Sequence, residues 1–264
     1  MATIQMNFLS MRLGMQTNLS VFLPSLKPGP DTAGKSYGEL YPRDERFPTL
    51  WLLPTEYGDD GEYLRRSAVL RLAEKARLAV VMPCGYEKLY SDDPRGQKFT
   101  DYITEELWTL CTGTFPLSPR REDAFIGGAS LGAYGALKCA LAAPDRFSRA
   151  VLLGGAYEPD MKGVYLADLA REMARNGAVP HCALDDAPAE DAELTPIPGA
   201  PLPEVWMAWA AGSPLADYAR RGEANLRSDG FAVTGRELPG AEDWDFRDQA
   251  LRLAFRYLAE KEAE

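Results

Sequence analysis

The chain has 264 residues, which is long enough for one large α/β domain with a well-buried core. Apolar residues make up 46%, an ordinary share for a globular protein, and this argues against disorder over most of the length. The formal net charge of -10 predicts repulsion from phosphate backbones and anionic lipids, so neither nucleic acid nor a membrane is expected as a partner.

The first 24 residues contain no basic segment followed by an apolar run, and no stretch approaches the roughly 18 apolar residues that span a bilayer. We therefore expect a cytoplasmic protein with reduced thiols. The four cysteines lie far apart without metal-ligand spacing, at Cys84, Cys111, Cys139 and Cys182. The sequence predicts no metal site and no cofactor. It contains a single histidine, His181, so any catalytic imidazole has to be this one.

In the first part of the chain, predicted strands alternate with predicted helices. Two amphipathic strands come first, and after a Pro/Gly-rich loop an apolar run at 47–54 predicts a strand buried on both faces. The strands are predicted at Ile4–Phe8, Asn18–Leu23, within 47–54, Leu78–Met82, Ala124–Gly128 and Ala150–Leu153, and the helices at Glu62–Ala76, Phe99–Cys111 and Leu131–Ala143. This alternation predicts βαβ units and a mostly parallel sheet with helices on both faces.

After Tyr157 the pattern loosens into a predicted helix at Tyr165–Asn176 and an insert rich in proline, alanine and acid at about 175–203. We interpret the insert as a surface loop, with a lid over a site as the alternative. Predicted elements then resume as strands at Val205–Trp209 and Phe231–Glu237 and helices at Ala216–Arg227 and Phe246–Glu260. No domain boundary is visible, so residues 1–264 are expected to form a single domain.

The sharpest motif is Gly128-Ala129-Ser130-Leu131-Gly132, which matches the nucleophile-elbow pattern G-x-S-x-G. It lies between a predicted strand and a predicted helix, as the motif requires. The tight turn needs glycine on both sides of the strained serine. The motif predicts Ser130 as a nucleophile and the Leu131 N–H as a donor to a developing oxyanion.

The segment GGASLGAYGALKCALAAPDRF resembles the elbow region of the tributyrin esterase, feruloyl esterase and S-formylglutathione hydrolase (esterase D) family. FPTLWLLP, FTDYITEEL and LPGAEDWDF resemble other segments of that family, so the resemblance covers most of the chain and is weakest over the insert. It implies an α/β-hydrolase fold and hydrolysis of short acyl or aromatic esters through an acyl-serine intermediate.

The resemblance fails where the family activates its serine. The family's catalytic histidine stands in P-G-x-H-D-W, and this chain has Glu242 at that position. The family's acid stands in C-G-x-x-D, and Leu215 occupies its place, with Asp217 two residues further on as an alternative acid. A serine without a base is a poor nucleophile.

The oxyanion loop also departs from the family, whose L-L-H-G-G is replaced by Leu52-Leu53-Pro54-Thr55-Glu56. Proline has no N–H to donate, and a nearby Glu56 carboxylate opposes developing negative charge. The N–H of Thr55 or of Glu56 remains a candidate oxyanion donor.

Three functional hypotheses follow. The first is an impaired or non-catalytic homologue that binds a small acyl or aromatic ester in the old pocket. The second is an active serine carboxylesterase with a non-standard base, either Glu242 or His181. The third is a structural or assembly role. Because related hydrolases often self-associate, we also expect that this chain can form a homo-oligomer. Aromatic residues could line the pocket or simply pack in the core, at Trp51, Tyr57, Tyr86, Tyr90 and Trp244.

Overall fold

The computed structural model describes residues 2–26, 29–30, 32–56, 58–85, 90–93, 96–155 and 194–260. Within these ranges eight strands form one sheet. They are β1 (Ala2–Ser10), β2 (Met15–Leu23), β3 (Thr49–Leu53), β4 (Ala79–Pro83), β5 (Ala124–Ala129), β6 (Arg149–Leu153), β7 (Glu204–Ala210) and β8 (Val233–Leu238). Their spatial order is β1-β2-β4-β3-β5-β6-β7-β8.

Strands β1 and β2 form an antiparallel hairpin, and β2 pairs antiparallel with β4. All pairs from β4 to β8 are parallel, so the expectation of a mostly parallel sheet is confirmed. The carboxyl ends of these parallel strands meet at one edge of the sheet, where open α/β sheets bind their ligands. The segments that follow β3, β5, β7 and β8 therefore converge at one place.

The helices are α1 (Tyr37–Leu40), α2 (Glu62–Arg66), α3 (Val69–Ala76), α4 (Phe99–Asp101), α5 (Trp108–Thr114), α6 (Leu131–Ala142), α7 (Ala216–Ser228) and α8 (Trp244–Ala259). A π-helical turn, Tyr102–Leu107, joins α4 to α5, and a 3-10 turn, Arg121–Asp123, precedes β5. The sequence predicted neither α1 nor the 3-10 turn.

The single helix predicted over Glu62–Ala76 is wrong, because the chain breaks between α2 and α3 at Ser67. The backbone of Ser67 is extended, and its hydroxyl donates to the Tyr63 carbonyl and accepts from the Val69 N–H. Such local bonds compete with helix continuation. The Ala68 N–H then donates to Asp248 in α8, which ties the break to the last helix.

Helices cover both faces of the sheet, as expected. One buried cluster joins alternate strand residues to α5, α6 and α7, and the other joins the remaining strand residues to α2, α3 and α8. Every residue of β3, β4 and β5 is buried, which explains their continuous apolar sequence. The elbow serine thus follows a strand from the middle of the core.

No helix in the described part of the chain is long and apolar enough to cross a membrane. The predicted helix Tyr165–Asn176, the insert up to residue 193 and His181 lie outside the described residues. The end of the insert, residues 194–203, is described and contains no helix or strand.

Candidate active site

The strand-turn-helix elbow has the backbone strain that its motif requires. Ser130 lies between β5 and α6 with φ 53° and ψ -119°, a conformation that a residue with a side chain rarely adopts. A Cβ on Gly128 would lie 2.4 Å from the Gly132 carbonyl carbon, and one on Gly132 would lie 2.3 Å from the Pro54 oxygen. Both glycines are therefore needed for the turn to close against the loop after β3.

The backbone of Ser130 is firmly held, and its side chain is not. The Ser130 N–H donates to the Leu153 carbonyl at the end of β6 (3.0 Å). The residue is 6% exposed, and within the described residues its hydroxyl has no hydrogen-bond partner. In particular, Ser130 Oγ makes no hydrogen bond to Glu242. Among the described residues, therefore, no base is in contact with the hydroxyl proton of Ser130.

The amide expected to stabilise an oxyanion faces a carboxylate instead. Glu56 Oε2 accepts from the Leu131 N–H at 3.4 Å, which is a long hydrogen bond. Glu56 follows β3, and Leu131 is the first residue of α6, so the loop and the elbow place these groups opposite each other. A carboxylate here sets negative charge where the oxyanion of an acyl-transfer intermediate would form.

Thr55 is turned away from the elbow by a buried acid that the sequence did not single out. The Thr55 N–H donates to Glu62 Oε2 (3.0 Å), and its hydroxyl donates to Glu62 Oε1 (2.7 Å). Glu62, in α2, is only 7% exposed. The Thr55 N–H is therefore already engaged, and of the two loop donors considered from the sequence, the Glu56 N–H is the one with no partner among the described residues.

Two buried tyrosines fix the carbonyl groups of the same loop. Tyr63 donates its hydroxyl to the Leu53 carbonyl (3.0 Å), and Tyr90 donates to the Pro54 carbonyl (3.3 Å). Burial raises the pKa of both phenols well above the usual range, so they stay protonated donors at neutral pH. The loop is therefore rigidly attached to the core.

Glu242 lies at the carboxyl end of the sheet, close to the strand that binds the elbow. Its Oε2 accepts a hydrogen bond from Ser213 Oγ (2.5 Å). A Cβ on Gly154 would lie 2.2 Å from Glu242 Oε1, so the carboxylate rests directly on that glycine. Gly154 follows Leu153, whose carbonyl accepts the Ser130 N–H. The fold thus brings Glu242 from the segment after β8 to the end of β6, beside the serine's strand.

Neither residue considered for the position of the acid acts on Glu242. Leu215 precedes α7, and its N–H donates to Ser213 Oγ (3.1 Å). Asp217 is turned outwards, because its carboxylate pairs with Arg220 (2.6 Å) and its side chain is 80% exposed. Ser213, a described residue that the sequence did not single out, makes the hydrogen bond to Glu242 and lies within the segment Ala211-Gly212-Ser213-Pro214-Leu215.

The aromatic candidates divide between core and loop. Trp51 is 1% exposed and stacks on Trp108 at 5.6 Å between ring centroids, so it is a core residue. Trp244 packs edge-on against Tyr63 at 5.7 Å. Tyr90 supports the loop after β3, as described above. Tyr57 and Tyr86 lie outside the described residues. Trp51 therefore does not line a pocket.

No cluster of three or more histidine, cysteine, aspartate or glutamate side chains suited to a metal occurs in the described ranges. The chemistry available at the described site is that of a serine, three carboxylates and backbone amides. The carboxylates are Glu56, Glu62 and Glu242.

Comparison with known proteins gives one consistent result. Residues 10–237 match the family model described as "Putative esterase". An acetyl esterase from Caldicellulosiruptor saccharolyticus is 26% identical over 272 residues, covering 98% of both chains. FphF, a fluorophosphonate-binding serine hydrolase of Staphylococcus aureus, superposes with a TM-score of 0.75 at 27% identity, over 98% of this chain and 99% of that one. The S-formylglutathione hydrolase FrmB of the same organism gives 0.72 at 27% identity, with the same coverage.

Proposed function

Because the chain belongs to this esterase family, we propose that it binds a short acyl or aromatic ester at the elbow and that acyl transfer to Ser130 is strongly impaired. The observation that carries the proposal is the hydrogen bond from the Leu131 N–H to the Glu56 carboxylate. The chemistry proposed for this site needs no metal and no cofactor.

The first step of the argument concerns charge at the oxyanion. Attack of a serine on an ester carbonyl moves negative charge onto the carbonyl oxygen, and hydrolases stabilise it with preorganised N–H groups. Removing one such donor commonly costs about 10²–10³ in kcat. Here the Leu131 donor is occupied and its partner is itself an anion, so Glu56 both withholds a donor and repels the intermediate.

The second step concerns the base. The hydroxyl of Ser130 has no partner in the described part of the chain, and the position of the family's histidine is occupied by Glu242. Loss of a triad member commonly lowers kcat by about 10⁴–10⁶. A carboxylate is a weaker base than an imidazole at neutral pH, so substitution by Glu242 does not replace the lost function in full.

One observation favours a second candidate, a slow serine carboxylesterase that uses Glu242 as its base. Glu242 lies against Gly154, one residue from the carbonyl that binds the Ser130 backbone, and Ser213 holds its carboxylate. In this mechanism Glu242 takes the Ser130 proton as Oγ attacks the carbonyl carbon, and the leaving alcohol receives that proton. Water then attacks the acyl-serine with Glu242 again as base, and the proton that Glu242 takes passes to Ser130 Oγ as the carboxylic acid is released.

The deciding experiment measures hydrolysis of p-nitrophenyl acetate from about pH 4 to about pH 8 with the wild-type protein, Ser130→Ala and Glu242→Gln. The main proposal expects equal background rates in all three proteins. Turnover that is lost in both variants and rises through an acid-range midpoint supports the Glu242 mechanism and contradicts the main proposal. If the pH–rate profile has its midpoint near 6–7 and keeps it in Glu242→Gln, His181 is indicated as the base.

Binding is tested separately, so that an inactive protein remains informative. Isothermal titration of Ser130→Ala with p-nitrophenyl acetate should show saturable binding that the wild-type protein shares. Absence of any binding by both proteins, for this ester and for an aromatic ester such as methyl ferulate, would refute the ester-binding proposal.

The role of Glu56 is tested by labelling Ser130 with a fluorophosphonate, which reacts with activated serines. Glu56→Ala removes the carboxylate and frees the Leu131 N–H, while Glu56→Gln keeps a side chain that can accept from it but removes the charge. We expect at least tenfold faster labelling in Glu56→Ala and an intermediate rate in Glu56→Gln. Glu122→Ala, an exposed carboxylate in the 3-10 turn, serves as the control and should label at the wild-type rate.

A further inference from the structure

The beginning of the chain is almost free of charge in a protein that is otherwise highly charged. Asp, Glu, Lys and Arg make up 26% of all residues, yet Arg12 is the only one among residues 1–26. Arg12 lies in the turn between the strands and pairs with Asp101 (3.4 Å) and Glu105, and neither β1 nor β2 contains a charged residue. The hairpin of β1 and β2 therefore presents a neutral strip on a molecule with a net charge of -10.

Strand β1 is an open edge of the sheet. It pairs with β2 on one side, and among the described elements it is the last strand on that side of the sheet. All nine of its residues are free of the lysines, glutamates and prolines with which natural proteins protect exposed edges. An unprotected edge of this length is a template for a further strand.

The edge is also rigid, so little entropy is lost when another strand pairs with it. The Glu106 carboxylate accepts from Ser10 Oγ (2.5 Å), from the Met11 N–H (2.7 Å) and from the Arg12 N–H (3.2 Å). These bonds fix the tip of the hairpin to the π-helical turn. Phe8 stacks on Tyr102 of the same turn, at 6.5 Å between ring centroids.

The sequence of β1 complements itself when it is reversed about Met6. An antiparallel partner centred there would place Ile4 opposite Phe8 and Gln5 opposite Asn7. Thr3 would lie opposite Leu9, which is 55% exposed. The partly buried face of Ile4, Met6 and Phe8, which packs against the core, would then continue into the same face of the partner. The side chains on the other face, Thr3, Gln5, Asn7 and Leu9, are all uncharged, so no like charges oppose the pairing.

We propose that β1 pairs antiparallel with β1 of a second copy of this chain, across a two-fold axis at Met6, to give a continuous sheet through a homodimer. A two-fold contact requires a self-complementary surface, and β1 provides one in both its hydrogen-bonding edge and its side chains. A neutral strip is also where two molecules of charge -10 can approach most closely.

The test is sedimentation velocity of the full chain from about 1 µM to about 1 mM, a range that brackets the Kd of a small interface. The wild-type protein should shift from the 29.1 kDa monomer to twice that mass. The double variant Thr3→Lys with Leu9→Lys places like charges opposite each other twice in the dimer. We expect its Kd to rise by about tenfold or more.

A second double variant, with opposite charges at the two positions, distinguishes an effect on strand pairing from the mere loss of the Leu9 side chain. In Thr3→Lys with Leu9→Glu, lysine faces glutamate of the other copy, and the two sites within one chain are about 20 Å apart along the strand, too far for an ion pair. This variant should dimerise at least as well as the wild type. Circular dichroism of both variants checks that each retains its fold. A wild-type chain that stays monomeric, a lysine pair that dimerises normally, or a lysine-glutamate pair that fails to dimerise would each overturn the proposal.

Discussion

Ser213 Oγ and Glu242 Oε2 are joined by a hydrogen bond of 2.5 Å between the segments that follow β7 and β8. In the family that the sequence resembles, these two segments contribute the acid and the histidine of the triad. Here a hydroxyl and a carboxylate make the corresponding contact, and the donor is Ser213. The Leu215 N–H extends this hydrogen-bond network by donating to Ser213 Oγ.

Replacing Ser213 by alanine should reduce the free energy of unfolding by about 1.5–3 kcal/mol, the usual range for a hydrogen bond to a charged group. Ser213 is 8% exposed, so water does not easily replace the lost donor. Urea unfolding of Ser213→Ala, Glu242→Gln and the double variant measures the coupling. Additive effects of the two substitutions would show that the bond contributes nothing of its own.

Restoring the family's triad should restore catalysis if the fold places these positions as the resemblance implies. In a Glu56→Ala background, Leu215→Asp with Glu242→His should raise kcat/KM for p-nitrophenyl acetate by about 10³ or more. The pH profile should rise through a midpoint near 6.5, the usual pKa of histidine. The gain should vanish when Ser130→Ala is added. If the restored triad gives no higher rate than Glu56→Ala alone, position 242 lies out of reach of the serine.

Two helical glycines, Gly132 at the elbow and Gly113 in α5, should respond in opposite ways to replacement by alanine. Gly132→Ala places a Cβ 2.3 Å from the Pro54 carbonyl oxygen, backbone that cannot move aside easily, and should cost about 1–3 kcal/mol or more of stability. Gly113 lies in α5 with nothing within 4 Å of a Cβ. Gly113→Ala should therefore stabilise the protein by about 0.5–1 kcal/mol. Thermal unfolding of both variants compares them directly, and equal shifts would contradict the geometry of the turn.

Two buried thiols predict a loss of stability in alkali. Burial raises the pKa of Cys111 to about 12 and that of Cys139 to about 12, from 9.0. Above pH 9 the unfolded chain releases these protons while the folded chain retains them, so the free energy of unfolding falls as pH rises towards 12. The limiting slope is about 1.4 kcal/mol per pH unit for each thiol.

Urea unfolding between about pH 8 and about pH 9.5 measures this slope below the usual tyrosine pKa of about 10, where the buried Tyr63 and Tyr90 contribute little. The double variant Cys111→Ala with Cys139→Ala should have a clearly flatter profile than the wild type. Cys84→Ala removes a half-buried thiol and leaves both buried ones, so it should keep the slope. Identical slopes in all three proteins would contradict the assignment to buried thiols.

Much of the fold followed from periodicity and local chemistry. The continuous apolar run of β3 could be recognised as a strand buried on both faces, β4 and β5 could be recognised as strands, and the elbow motif fixed the junction of β5 and α6. Local hydrogen bonding at Ser67 was invisible to the helical pattern of Glu62–Ala76, because the spacing of apolar residues continues through the break. The edge position of β1 also depended on pairing that alternation alone does not specify.

At the site, the sequence determined which residue types are present: a serine in a strained turn, no histidine in the family's position, and carboxylates at 56 and 242. Only the tertiary structure decided which partners they have, because hydrogen-bond partners are set by where chain segments distant in sequence meet. Glu62 engages Thr55, Glu56 faces the Leu131 amide, and Ser213 rather than Leu215 or Asp217 contacts Glu242. The spacing of a motif predicts how residues within one segment are arranged. These contacts instead arise where separate loops converge at the carboxyl edge of the sheet.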